Sequence, residues 1–183
     1  LGNGAGGFGA KTDITTGAFP ISVAIGELSG DGKPDLVVAN NGANAVSVLL
    51  GNGAGGFGAK TDYLAGTGPA AVAIGDVNGD GRADLAVANV GSGTVSVLQG
   101  DGTGAFGPTT DFPTGPLTIA VAIGDVSGDG RPDLVTANSN FSVVSVLLGD
   151  GAGGFAAKTD VATGTNPRSV VIGDVNHDGR TDI

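Results

Sequence analysis

Short apolar runs alternate with Gly-rich polar breaks along this chain, and the whole pattern returns every 49 residues. In the unit that begins near Gly68, an apolar run over 69–77 containing Ala-Val-Ala-Ile predicts a first strand. A second is predicted over 85–89, a third over 94–99, where Val95 and Val97 alternate with Thr and Ser, and a fourth over 105–112. The breaks are an acidic loop after the first strand, Val90-Gly91-Ser92-Gly93 after the second, and Gly100-Asp101-Gly102-Thr103-Gly104 after the third. No stretch between glycines carries the longer apolar period of a helix. Four short strands per unit predict an all-β fold, a β-propeller whose units are four-stranded antiparallel blades. The 183 residues hold about 3.7 units: 1–19 as the end of a partial blade, 20–67, 68–116 and 117–165 as whole blades, and 166–183 as the start of a further one.

Two other residue sets keep the same spacing. Phe8, Phe57, Phe106 and Phe155 follow the Gly-rich turn and are expected to be core aromatics packing between neighbouring sheets. Asp13, Asp62, Asp111 and Asp160 each follow a Thr, with no recurring His or second carboxylate beside them, and are expected in turns or caps. Leu1 aligns with Leu50 and Ile183 with Leu85, so the expectation is a piece of a longer chain, or a protomer completed by a neighbour.

The acidic loops carry the candidate chemistry. Each reads acid-x-(Ser/Asn)-x-Asp-Gly-basic-x-Asp, which sets hard oxygen donors at alternate positions of a tight loop, as a calcium ion requires. In the second loop Asp76, Asn78, Asp80 and Asp84 supply side-chain oxygens and Arg82 its carbonyl, with Gly81 at the sharp turn. The equivalent sets are Asp125, Ser127, Asp129 and Asp133 with the Arg131 carbonyl, and Asp174, Asn176, Asp178 and Asp182 with the Arg180 carbonyl. The first set, Glu27, Ser29, Asp31 and Asp35 with the Lys33 carbonyl, is expected to be the weakest because Glu27 is one methylene longer. The basic side chain at position 7 is expected to point to solvent. Up to four Ca²⁺ ions follow, one per loop. An EF-hand is excluded because position 12 is Val38, Val87 or Thr136 and the flanks are strand-like, and a dockerin fails on the same facts.

These features together resemble the FG-GAP, or VCBS-type, repeat of integrin α-subunit propellers and many secreted bacterial proteins. The resemblance is carried by the Gly-Phe pairs at Phe8, Phe57 and Phe155, the Gly/Pro turns ending at Pro20, Pro69 and Pro167, and the four acidic loops. It implies a propeller, usually of seven blades, with mostly structural calcium in the hairpin joining the first two strands of a blade. Ligands of that family bind to loops or clefts on the propeller.

Twelve of the 18 acidic residues lie in the four loops, so four dications would bring the formal charge of −10 to about −2. The cations are scattered, which argues against nucleic-acid partners. Without cysteine there are neither disulfides nor thiolate metal sites. No run of about 18 apolar residues predicts membrane insertion, and a calcium module is expected to be secreted or at the cell surface. The motifs Gly51-x-Gly53-x-x-Gly56, Gly2-Gly4-Gly7 and Gly149-Gly151-Gly154 match a dinucleotide fingerprint, but each opens a Phe-led strand rather than a helix and is read as a hairpin turn. His177 replaces a loop glycine and is read as an exposed loop residue, which leaves the serines without a triad partner across three blades. Asn140-Phe141-Ser142 is a glycosylation sequon by pattern. The chain is therefore expected to be no enzyme. It reads as a calcium-stabilised binding or structural module with a protein or glycan ligand, possible in end-to-end self-association, and alternatively as a lectin-like propeller or a non-catalytic domain of a secreted enzyme.

Overall fold

The computed structural model describes Gly2 and residues 4–183. Strands β1 (Pro20–Gly26), β2 (Asp35–Asn40), β3 (Ala45–Leu49) and β4 (Thr61–Leu64) form one sheet. A second contains β5 (Pro69–Gly75), β6 (Asp84–Asn89), β7 (Thr94–Leu98) and β8 (Thr110–Pro113). The third contains β9 (Thr118–Gly124), β10 (Asp133–Asn138), β11 (Val143–Leu147) and β12 (Thr159–Ala162). Each is an antiparallel meander in chain order, and the three stack as propeller blades. Residues 166–183 form no strand, only a bridge between Gly173 and Asp182.

The blades are cemented by apolar layers between sheets. Leu28, Val37, Val46 and Val48 of the first blade meet Leu85, Val87 and Leu98 of the second. The next layer repeats this with Val77, Val95 and Val97 against Leu134 and Leu147. Fully burying each such side chain contributes about 1.5–3 kcal/mol. Phe106 packs edge-on against Tyr63 with centroids 5.4 Å apart, and Phe155 against Phe112 at 5.2 Å, so the recurring Phe of one blade contacts the fourth strand of the blade before it. Phe57 is half-buried, whereas Phe8 is 86% exposed and departs from the expected core role. No blade precedes it among the described residues.

The first strands are fitted to one another by a glycine. A Cβ on Gly26 would lie 2.9 Å from Ile74, one on Gly75 3.2 Å from Ile123, and one on Gly124 3.0 Å from Ile172. Each glycine thus leaves room for the isoleucine of the next blade. On β1 the equivalent positions Ile21, Val23 and Ile25 are exposed.

Within a blade, the last Asp of the acidic loop ties two hairpins together. Asp84 is fully buried at the start of β6; its Oδ2 accepts the Val77 amide at 2.9 Å and its Oδ1 the Gly100 amide at 2.8 Å. Asp35 does the same with Leu28 and Gly51, and Asp133 with Val126 and Gly149. Burial pushes the Asp84 carboxyl above its ordinary value, against the Gly100 and Val77 amides, and the charges of Asp80 and Asp76 add to the rise. The glycine partner sits so close that a Cβ on Gly100 would be 2.1 Å from the Ala83 carbonyl oxygen.

A polar relay crosses the last three strands of each blade. Asn40 Nδ2 donates to Ser47 Oγ at 2.8 Å, and Ser47 Oγ donates to Asp62 at 2.6 Å. Asn89, Ser96 and Asp111 repeat it, as do Asn138, Ser145 and Asp160. Among the described residues, the Asn89 Oδ1 atom is the buried side-chain polar atom without a hydrogen bond. The relay corrects the turn-or-cap expectation for three of the four recurring aspartates: Asp62, Asp111 and Asp160 lie inside β4, β8 and β12. Asp13 lies outside any strand and pairs with Lys11. The fourth strand also starts later than the pattern predicts, at Thr110 rather than 105. The chain is still closing the Gly-rich turn there, with the Asp101 amide on Ala105 O and the Gly107 amide on Gln99 O.

Two outcomes follow for stability. Gly100→Ala is expected to destabilise by about 3 kcal/mol or more, since the backbone must shift and strand the Asp84 carboxylate. Gly107→Ala, whose Cβ would meet Gln99 O at an ordinary 3.6 Å, should be close to neutral; urea midpoints compare the two. Lys60, and after it Ser47, hold the Asp62 carboxyl below the usual carboxylate range. A depressed folded-state pKa gives stability that is present above the unfolded value and lost as pH falls through the folded one. Ser47→Ala should therefore raise the Asp62 titration midpoint in carboxyl NMR, start acid unfolding at higher pH, and cost about 1–3 kcal/mol at neutral pH.

Candidate metal centres in the hairpin loops

The four acidic loops join, or stand where they would join, the first and second strands of successive repeats. Their geometry comes from backbone amides captured by the loop's own side chains. Asp76 Oδ1 accepts the amides of Gly79 at 2.7 Å and Asn78 at 3.2 Å, and its Oδ2 that of Gly81 at 2.8 Å. Asn78 Oδ1 takes the Asp80 amide, and Asp80 Oδ1 the Arg82 amide. This winding requires left-handed backbone at Gly79 (φ 76°) and Gly81 (φ 81°), which glycine adopts without a Cβ penalty. Partial burial works to raise the Asp76 pKa, but the Gly81, Gly79 and Asn78 amides outweigh it and leave the carboxyl depressed.

The third loop matches closely: Asp125 accepts the amides of Gly128, Asp129 and Gly130 and the Ser127 hydroxyl, and Asp129 accepts the Arg131 amide. The Gly130 amide is the main cause of a depressed Asp125 carboxyl. In the first loop the longer Glu27 still reaches the Ser29 and Asp31 amides with one oxygen. In the fourth, Asp174 accepts the Asp178 and Gly179 amides, Asn176 the Asp178 amide, and Asp178 the Arg180 amide. Asp182 accepts the Val175 amide. His177 is exposed, with φ 61°, at the position where the other loops place glycine.

The basic residue at position 7 does not simply face solvent. Lys33 Nζ pairs with Asp31 Oδ2 at 2.8 Å, and Arg82 Nη1 lies 3.9 Å from Asp80 Oδ2. Their stems also lie against the Gly-rich turn of the same blade, where a Cβ on Gly53 would meet Lys33 at 3.0 Å and one on Gly102 would meet Arg82 at 3.2 Å. The sequence pattern missed this contact because it lies between two loops, and a fixed spacing describes each loop only by itself.

As hard-oxygen donors, the residues fit calcium: three carboxylates, an amide or hydroxyl oxygen, and a main-chain carbonyl in each loop. Among the described residues, however, no group of three or more His, Cys, Asp or Glu side chains stands together as a metal cluster. In the first three loops both oxygens of the ninth-position Asp accept hairpin amides, and in the second loop both oxygens of Asp76 accept loop amides as well. The Gly-rich turns are closed in the same self-capping way, Asn52 accepting the Ala54 and Gly56 amides and Asp150 those of Ala152 and Gly154, so their dinucleotide-fingerprint spelling marks a hairpin turn.

No curated protein matches the chain. Among solved structures it is similar to a chain in the crystal structure of BBS1N in complex with ARL6DN, at 15% identity and a TM-score of 0.56, covering 88% of this chain and 48% of that one. It is also similar to an Agrocybe aegerita lectin that recognises non-reducing terminal N-acetylglucosamine, at 25% identity and a TM-score of 0.54, covering 80% of this chain and 38% of the lectin. A Photorhabdus luminescens Tc holotoxin pore matches at 24% identity and a TM-score of 0.47, covering 78% of this chain and 7% of that one. The chain thus spans less than half the length of each of these structures. The model of the FG-GAP-like repeat matches three overlapping segments, 27–87, 76–136 and 125–183. Every match opens on the first acid of a loop and, together with the blades, establishes that this chain belongs to the FG-GAP-like repeat family.

Proposed function

We propose that the chain is a calcium-stabilised binding or structural repeat module that works outside the cell. The observation that carries this reading is the amide-ordered oxygen cluster repeated in four loops, with a Lys or Arg as the nearest counter-charge of the position-5 acid in the first two. Calcium, when bound, supplies two positive charges beside carboxylates whose mutual repulsion otherwise opposes folding. Glu27, Asp76, Asp125 and Asp174 would hold it together with the Asn or Ser oxygens at position 3, the acids at position 5, the position-7 carbonyls and the ninth-position Asp35, Asp84, Asp133 and Asp182. The millimolar calcium outside cells saturates even weak modules, which supports an extracellular setting. The reading contains no catalytic step.

A second reading is carbohydrate binding. Its support is the likeness in fold, at 25% identity, to a lectin that recognises a terminal N-acetylglucosamine.

Thermal unfolding in calcium and in chelator tests the first reading. Calcium at a hundredfold excess over its Kd should stabilise by about 2.7 kcal/mol per site, a rise of several degrees; an unchanged melting temperature would overturn the structural role. Asp80→Ala should remove more of the calcium-dependent rise than Glu27→Ala, because Glu27 already departs from the donor length of the other loops; equal losses in calorimetry would count against that ranking.

A further inference from the structure

The near-identical repeats of this chain act as internal controls, and one junction breaks the pattern. Between the second and third blades, Pro116 stands where other repeats have Ala18, Thr67 and Thr165, and Thr118 where they have Pro20, Pro69 and Pro167. Phe141 replaces Ala43 and Ser92, and Val143 replaces Ala45 and Thr94. The backbone departs too: Gly115 has φ 114°, a left-handed value not shared by Gly17, Gly66 or Gly164.

These departures converge on one cavity of about 370 Å³, whose lining includes Pro116, Phe141, Val143, Lys158 and Asp160. Buried Asn138 forms its floor and is fixed there, donating to Thr114 O and Ser145 Oγ. Phe141 closes a short 3-10 turn, lines the cavity and is 55% exposed. Lys158 is paired with Asp160, and Asp160 also accepts the Ser145 hydroxyl at 2.6 Å. The pair is electrically balanced and offers both donors and acceptors. The loops on this side, 41–44, 65–68, 90–93, 114–117 and 139–142, contain no charged residue, whereas the acidic loops all lie at the other end of the strands.

We infer that this cavity is a saccharide site for one or two neutral pyranose rings, stacked on Phe141 and held at their hydroxyls by the Lys158–Asp160 pair. The volume lies within the range of small-ligand sites, and a largely apolar wall with a few convergent polar groups is their usual lining. The Lys158–Asp160 pair, the charged groups in the lining, is balanced, and the site offers no net positive charge to sulfated or sialylated sugars. The site names where the carbohydrate-binding reading would act, rests on that reading, and does not depend on calcium occupancy.

The test uses the whole chain, in saturating calcium, on an array of neutral, sulfated and sialylated glycans, followed by calorimetric titration of the best neutral glycan. Two variants introduce residues that the repeat uses at the equivalent position of the second blade, F141S (as Ser92) and K158T (as Thr109), and melting temperatures check that the fold is retained. A neutral glycan should bind, and each variant should weaken it at least about tenfold. An array on which nothing binds would overturn both the site and the carbohydrate reading. Neutral binding that neither variant changes would overturn this site and leave that reading standing. Binding confined to sulfated or sialylated glycans would overturn the neutral assignment. A peptide from a display library whose binding F141S abolishes, with no glycan bound, would reassign the cavity to peptide and overturn the saccharide.

Discussion

Each blade depends on one buried carboxylate. Asp84, like its counterparts Asp35 and Asp133, gathers the amides of two separate hairpins, the acidic loop at one side and the Gly-rich turn at the other. A buried charge is costly unless its lone pairs are filled, and here the filling groups are backbone amides that any change of loop geometry would withdraw. The glycine at the far hairpin is forced by the same contact, because the amide can reach the carboxylate only where no Cβ lies against the preceding carbonyl.

From that pin the two ends of a blade take different roles. At the acidic end the loops repeat almost unchanged, since side-chain oxygens of positions 1, 3 and 5 capture loop amides and the winding requires left-handed glycines. At the opposite end the loops are set by short turns with fewer side-chain commitments, and the repeats drift there: Phe19, Gly68, Leu117 and Asn166 occupy one equivalent position, all with positive φ. Sequence freedom thus sits where the blade scaffold does not constrain it, as expected of binding surfaces carried on rigid elements.

Between blades the constraint is steric rather than polar. Isoleucine on the first strand of one blade fits over the terminal glycine of the first strand of the blade before it, and the edge-on aromatic pairs pack against the same layers. Valine, alanine and leucine supply the rest, so no single large side chain dominates the core. An apolar layer of small residues tolerates a repeated register because every blade presents the same shape.

The sequence by itself determined the repeat length, the four strands per blade, the all-β class and the oxygen-rich loops, because each of these is a local pattern that recurs at fixed spacing. It also gave the interleaved aromatics, although exposed Phe8 shows that periodicity marks a position and not its surroundings. Only the tertiary structure decided that Asp62, Asp111 and Asp160 serve a cross-strand relay, that Lys33 and Arg82 lie on the neighbouring turn, and that Asp35, Asp84 and Asp133 are buried on the amides of two hairpins. It alone gathered Pro116, Phe141 and Lys158 around one cavity. The physical reason is the same in each case. Hydrogen bonds and close contacts between segments 15 to 50 residues apart depend on how strands pair and sheets stack, and no local spacing in the chain encodes that distance.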